Sequence, residues 1–292
     1  LTSAVNYVAS ETESMIYRTS GHGEDTISSS VSELLTKNNI STKELNLSMN
    51  PEIPEDCQLL MLNAPTSDIT DEELSLITDY MENGGKVYLI LGNTTKETPN
   101  LDSLMKSYGL EKIDGYIADM ERCYQGNYYA IFPVLSLSGD LGNGIDNKMV
   151  LMLNSFGMQK VDTEDESVTV SAFMNSSSNS YAVTEDSEEK GAYVLGAVAT
   201  KDESKLTVLA SGSLIDSQVT GAFANLDNLT LFMNTVTANF DDVENLAIES
   251  KSLSTTYNTP PHTGSISMVT IFVVPLAILV LGFAVWMRRR KA

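Results

Sequence analysis

Histidine and cysteine are scarce in this chain: 292 residues hold two of each, His22, His262, Cys57 and Cys123. A zinc site made of those residue types alone would need all four at once, so the sequence implies no metal site. Two cysteines permit one disulfide outside the cytoplasm, but spacing does not establish that their Cα atoms come close enough. Cations are also scarce. Eighteen Lys and Arg face 39 Asp and Glu, a formal charge of −21, and Arg288, Arg289, Arg290 and Lys291 crowd the very end. Nucleic-acid binding needs Lys and Arg to displace condensed counterions, so DNA and RNA are poor partners.

The missing motifs narrow the chemistry further. Without G-x-x-x-x-G-K-[ST] there is no phosphate-binding loop, which argues against ATP hydrolysis by this chain. Gly142-Asn143-Gly144 comes nearest to G-x-G-x-x-G, but Asn147 takes the third glycine's place. No G-x-S-x-G offers a serine nucleophile, and Cys57 precedes an apolar run instead of following it, the wrong end for a nucleophile elbow. The acids Asp162, Glu164, Asp165 and Glu166 lack the spacing of a calcium loop and read as solvated surface. The sequence implies no cofactor and no catalytic residue.

What is present is a core and a long apolar run. A hydrophobic content of 42% is enough to bury a core and argues against intrinsic disorder. Residues 268–287, MVTIFVVPLAILVLGFAVWM, are 20 uncharged residues followed at once by Arg-Arg-Arg-Lys. At 1.5 Å per residue such a helix covers the roughly 30 Å hydrocarbon core of a bilayer. The basic cluster places 288–292 in the cytoplasm as a tail and the acidic bulk of the chain outside it. Pro275 is a candidate kink, and Trp286, the sole tryptophan, sits where an interfacial aromatic is expected. No signal peptide is visible, and export of an acidic domain leads us to expect a further membrane segment before Leu1.

Between these ends, apolar runs alternate with amphipathic helices, the pattern of an α/β layered domain. A strand at 15–19 (MIYRT) runs into Ser20-Gly21-His22-Gly23-Glu24-Asp25. Then comes a helix with Ile27, Val31, Leu34 and Leu35 on one face and Asp25 as N-cap. A polar strand is expected near 43–48 and a buried parallel one at 58–63 (QLLMLN). Thr70-Asp71-Glu72-Glu73 has capping-box spacing, and its helix should stop at Gly84-Gly85 before a strand at 86–91 (KVYLIL). This order predicts a three-layer sheet with right-handed crossovers, flavodoxin-like in outline. Residues 115–191 are rich in Ser, Asn, Asp, Glu and Gly and read as inserted strands and loops. Closing strands follow at 192–199 and 205–210, then a helix with Leu229, Phe232, Met233 and Val236 on one stripe. The expected divisions are an extracytoplasmic α/β domain over 1–249, a linker over 250–264, a membrane helix over 265–287 and the tail.

The loop Gly21-His22-Gly23-Glu24 falls at the carboxyl end of the first strand, where open α/β sheets place ligands. His22 and Glu24 are therefore candidate ligand-binding residues, with Asp216 as a weaker neighbour. The plain alternative is a glycine-permitted turn whose imidazole and carboxylate satisfy backbone groups.

The joint pattern of a helix at 3–9, MIYRT, SGHGE, the T-D-E-E helix ending in NGGKVYLIL, KLTVLASGSLIDS (205–217) and NLDNLTLFMNTVTANF (225–240) resembles the GldG-like, gliding-motility-associated auxiliary subunits of ABC transporters. In relatives an acid directly follows the late glycine. Here Gly212 is followed by Ser213 and the acid is delayed to Asp216, and Arg18 polarises the first strand. The resemblance implies a flavodoxin- or glutamine-amidotransferase-like domain without the amidotransferase nucleophile. It also implies a separate ABC permease and ATP-binding subunit as partners. Two alternatives stay open: a membrane-tethered envelope hydrolase or amidotransferase relative, and an adhesive or sensory ectodomain.

Overall fold

A strand that is apolar without alternation survives only where both of its faces are covered. The run Leu59–Asn63 (LLMLN) is such a strand, buried at every position in the computed structural model. The structure describes residues 14–94, 96–145, 149–163, 165–223, 225–240 and 269–290. The helix expected over 3–9, the linker over 250–264 and the last two residues of the tail lie outside these. Two units are distinguished, Leu1–Ala247 and Ile248–Ala292.

The first unit begins β1 (Ser14–Thr19), α1 (Ser29–Lys37), β2 (Ile40–Leu45), β3 (Leu59–Asn63), α2 (Asp71–Glu82), β4 (Lys86–Ile90) and α3 (Pro99–Ser107). The inserted region supplies β5 (Leu110–Asp119), β6 (Cys123–Tyr124), β7 (Asn127–Ile131), β8 (Val134–Leu135), β9 (Met152–Leu153) and β10 (Phe156–Lys160). It continues with β11 (Thr169–Asn175), β12 (Ser180–Val183) and β13 (Glu188–Gly191). The chain then returns through β14 (Val194–Lys201), β15 (Ser204–Leu209), α4 (Ser217–Ala222) and α5 (Asn228–Thr237).

The main sheet runs β13-β12-β5-β10-β14-β15-β4-β3-β1-β2, with β11 also paired to β14. From β15 to β2 all neighbours are parallel. From β13 to β15 they are antiparallel. Helix α1 packs near α5 and α2 near α3, so the parallel strands are covered on both faces, as their apolar content demands. This is the mixed, three-layer α/β fold expected from the alternation of runs and helices.

Local chemistry sets the helix ends. Thr70 and Glu73 form the reciprocal capping box at α2, and Gly84 just past its end has φ +82°, a conformation glycine adopts without penalty. Two details differ from expectation. The N-cap of α1 is Ser28, whose hydroxyl accepts from the Val31 N–H, and not Asp25. The polar strand is Ile40–Leu45, about three residues early, because Asn39 at φ +58° turns the chain straight from helix into strand. Cys57 and Cys123 are both free thiols, and burial pushes the Cys57 thiol up to about 11.

The largest buried polar side chain of the core is paired. Tyr88, fully buried on β4, meets Phe232 edge-on at 5.9 Å, and its hydroxyl lies 2.6 Å from Thr235 Oγ1. Thr235 donates to the Phe232 carbonyl at 2.8 Å, so Tyr88 is the donor of the pair. Tyr88→Phe should therefore cost only about 1 kcal/mol, because no donor is left unsatisfied. Urea denaturation of the full chain in detergent, followed by circular dichroism, measures this.

The second unit contains α6 (Val274–Arg290), preceded by a π-helical turn, Val269–Val273. Pro275 stands in the first turn of α6, at the junction, where its missing N–H and ring bulk are tolerated. Residues Ile271–Arg290 form a helix of 20 residues containing an 18-residue stretch of mean hydropathy 2.3, long and apolar enough to cross a membrane.

Candidate functional site

Chain order reverses at β1: the first crossover leads out to β2, the next returns past β1 to β3. In open α/β sheets the crevice beyond the carboxyl ends of the strands at such a point is the usual place for a ligand. Here the segments after β1, β3, β4 and β15 surround a cleft of ≈ 460 Å³, with Asp25, Asn63, Ala64, Asn93, Ser211 and Asp216 in its walls.

The cleft is rich in acceptor oxygen. Asp216 is the N-cap of α4, accepting from the Gln218 N–H at 2.8 Å. Partial burial, and then the charge of Asp216, raise the Asp25 carboxyl above its ordinary value. Asn63 ends β3, is 3% exposed, and donates through Nδ2 to the Asp25 carbonyl at 2.6 Å, while the Asp25 N–H donates back to the Asn63 carbonyl at 2.9 Å. That amide orientation leaves Asn63 Oδ1 buried without a hydrogen-bond partner among the described residues. Ala64 and Asn154, also in the wall, hold φ of +56° and +46°. Such conformations cost non-glycine residues energy and gather at functional sites.

His22 and Glu24 do not line this cleft. The imidazole is buried, with Nδ1 3.2 Å from Glu24 Oε1 and Nε2 2.9 Å from Glu73 Oε2. Both contacts are hydrogen bonds at once only when both ring nitrogens carry protons. The His22 N–H donates to Glu24 Oε2 at 2.7 Å, and its carbonyl accepts from the Thr66 and Ser67 N–H groups at 2.9 and 3.0 Å. Gly21 and Gly23, at φ +121° and +74°, permit the turn, and Thr66 crowds the place where a Cβ of residue 23 would stand. This arrangement clamps the loop after β1 to the start of α2 and so sets the position of Asp25.

Of the three candidate residues, the structure thus brings Asp216 to the cleft and joins His22 with Glu24 in the clamp beside it. Sequence reasoning missed Asn63, Asn154 and the second role of Glu73, and assigned Asp25 to a cap. Asn63 had a legible signal, a polar residue closing an apolar strand at its carboxyl end. Among the described residues no group of three or more His, Cys, Asp or Glu is placed to hold a metal ion.

Comparisons with known proteins bear on this frame. Residues 7–130, less than half of the chain, match the family described as ABC-type uncharacterized transport system. No curated protein matches. Among solved structures, the mmIFT52 N-terminal domain aligns with TM-score 0.57 at 14% identity, covering 77% of this chain and 96% of that one. A ThuA-like protein from Bacteroides uniformis aligns with TM-score 0.50 at 11% identity, covering 80% of this chain and 95% of that one. PurLQS from Thermotoga maritima aligns with TM-score 0.47 at 11% identity, covering 78% and 99%. The first two likenesses are likenesses of fold.

Proposed function

We propose that this chain is a non-catalytic, membrane-anchored auxiliary subunit of an ABC transport system, of the GldG-like kind associated with gliding motility, whose acidic α/β unit stands outside the cytoplasm and binds a partner or solute in the cleft. The observation that carries the reading is the family match over residues 7–130. ATP hydrolysis then belongs to a separate ATP-binding subunit, and the substrate path to a separate permease.

Two features of the molecule support the reading. The corner after β3 holds Ala64 at φ +56° beside the cleft and so presents a methyl group there and no nucleophile. Helix α6 exposes Leu276, Ile278, Leu279 and Leu281 at 63–69%, a surface that lipid covers at no cost and water does not. Arg288, Arg289 and Arg290 close that helix, a basic cluster of the kind that favours the cytoplasmic side. A further membrane segment ahead of Leu1 belongs to the same proposal.

The test is purification of the full-length protein from native membranes in mild detergent, with mass spectrometry of what accompanies it. An ABC ATPase and a multi-span permease in stoichiometric amounts are expected. Recovery of the protein alone, or with envelope enzymes only, would sink the auxiliary-subunit reading.

A further inference from the structure

We infer that a second cavity, between the loop after β4, the start of α3 and the inserted strands, is a seat for an uncharged, hydroxyl-bearing ring with an apolar face, the chemistry of a pyranose sugar. The cavity measures ≈ 560 Å³, inside the range of about 300–1,000 Å³ usual for small-molecule sites. Six segments wall it: the loop after β4, α3, β5, β7, β10 and the end of β12 with its turn. A β-bulge shapes it. Phe156 of β10 pairs with Tyr116 of β5, yet the next residue, Gly157, pairs with Ile113, so Asp114 and Gly115 have no opposite residue. Gly115 holds φ +85°, and a Cβ there would stand 2.2 Å from the Val183 carbonyl oxygen. Bulges bend a strand and re-aim its side chains beside functional sites. Just past this one, Tyr116 stacks on the Phe156 ring at 4.8 Å and donates its hydroxyl to Asn93 in the wall of the first cleft.

The lining selects the ligand by which groups are already committed. Lys112 donates to Thr98 Oγ1 at 3.0 Å, lies 3.4 Å from Asp102 and stands over the Phe156 ring at 5.6 Å, so this cation, carboxylate and ring satisfy one another. Tyr129 is uncommitted: it is 36% exposed, and its hydroxyl makes no hydrogen bond among the described residues. So are charged groups of both signs. The side chains of Lys96, Glu97, Asp114 and Glu185 line the cavity without an ion pair among the described residues. Three carboxylates repel an anion, while Lys96 repels a cation and itself needs an acceptor. A hydroxyl donates and accepts, so a ligand rich in hydroxyls serves both kinds of group. The ring of Tyr129 asks for an apolar patch on the same molecule. A pyranose with equatorial hydroxyls has both, O–H groups around its rim and C–H groups on its faces.

This inference does not rest on the transporter association, so a purification without transporter subunits leaves it standing. It is tested by isothermal titration of the full-length chain in a detergent that has no sugar headgroup. The probes are glucose as a free sugar, cellotriose as a short chain of such rings, putrescine and inorganic phosphate. Saturable binding of glucose or cellotriose is expected, and it should be equal at about 0.05 M and about 0.5 M salt, because an uncharged ligand is not screened. Tyr129→Ala should weaken it about five- to tenfold, the worth of one ring contact. Asp114→Asn should weaken it about fivefold, the difference between a charge-assisted and a neutral hydrogen bond. Asp186→Asn, an exposed acid outside the lining, should leave binding unchanged. Tighter binding of cellotriose than of glucose marks a glycan chain as the ligand, and the reverse a free sugar. No saturable heat with either sugar, full binding in Tyr129→Ala, equal loss in Asp186→Asn, or saturation by putrescine or phosphate in place of the sugars would each overturn the inference. Tyr129 and Asp114 are both exposed, and unchanged circular dichroism melting of the variants confirms that they fold.

Discussion

Glu73→Ala is expected to lower the unfolding free energy by about 3–5 kcal/mol, because several hydrogen bonds to one buried carboxylate, each worth about 1.5–3 kcal/mol, are lost together. Glu73 is 1% exposed. Its Oε2 accepts from the Thr70 N–H and faces His22 Nε2, both at 2.9 Å, while Oε1 accepts from the Ser48 hydroxyl at 2.7 Å. Alanine removes the acceptor for all three at once and leaves the imidazole facing only Glu24. Glu73→Gln keeps the shape and one acceptor oxygen, so it should cost roughly half as much.

The pH dependence of this loss has a definite sign. Burial acts to raise the Glu73 carboxyl, but the hydrogen bonds from the Thr70 backbone and Ser48, with the field and hydrogen bond of His22, outweigh it and hold it below its ordinary 4.5. A carboxylate whose folded value is depressed contributes stability above its unfolded value, and that contribution fades as pH falls through the folded one. The gap between wild type and Glu73→Ala in urea denaturation should therefore be full near neutral pH and narrow below about 4.5. A gap that widens on acidification would refute this account of the clamp.

Gly92→Ala should cost about 3 kcal/mol, at the upper end of the range for overpacking. A Cβ built on Gly92 overlaps the Pro65 carbonyl oxygen and stands 2.7 Å from that of Ala64. These are backbone atoms, so no rotamer change gives relief. The loops after β3 and β4 would have to separate, which moves Ala64 and Asn93 in the cleft wall. Gly282→Ala is the control: its Cβ meets nothing within 4 Å, and the change should stay within about 0.5 kcal/mol. Thermal melting of both variants in the same detergent decides the matter. Equal melting temperatures would show that the two loops are not packed as described.

Much of the architecture was legible because it rests on short-range physics. A Thr three residues before a Glu caps a helix wherever it lies, and the cap of α2 appears as read. The unbroken apolar run of β3 demanded burial on both faces and received it. The errors were also local. Asp25 and Ser28 compete for the same helix start, and a hydroxyl at the latter won, leaving the carboxylate of Asp25 in the cleft.

The candidate site was legible only in part. The residue types and the loop at the end of β1 were visible, because strand ends and glycine turns are written in adjacent positions. The partners were not. His22 meets Glu73 across 51 positions of sequence, and Asp25 faces Asp216 because β15 lies beside β4 in the same parallel block as β1. Sequence alone determined the elements, the acidic surface and the apolar helix, since periodicity, capping and charge act over a few residues. Tertiary structure alone decided which loops share the cleft, because strand order is settled by the packing of the whole sheet and no local pattern encodes it.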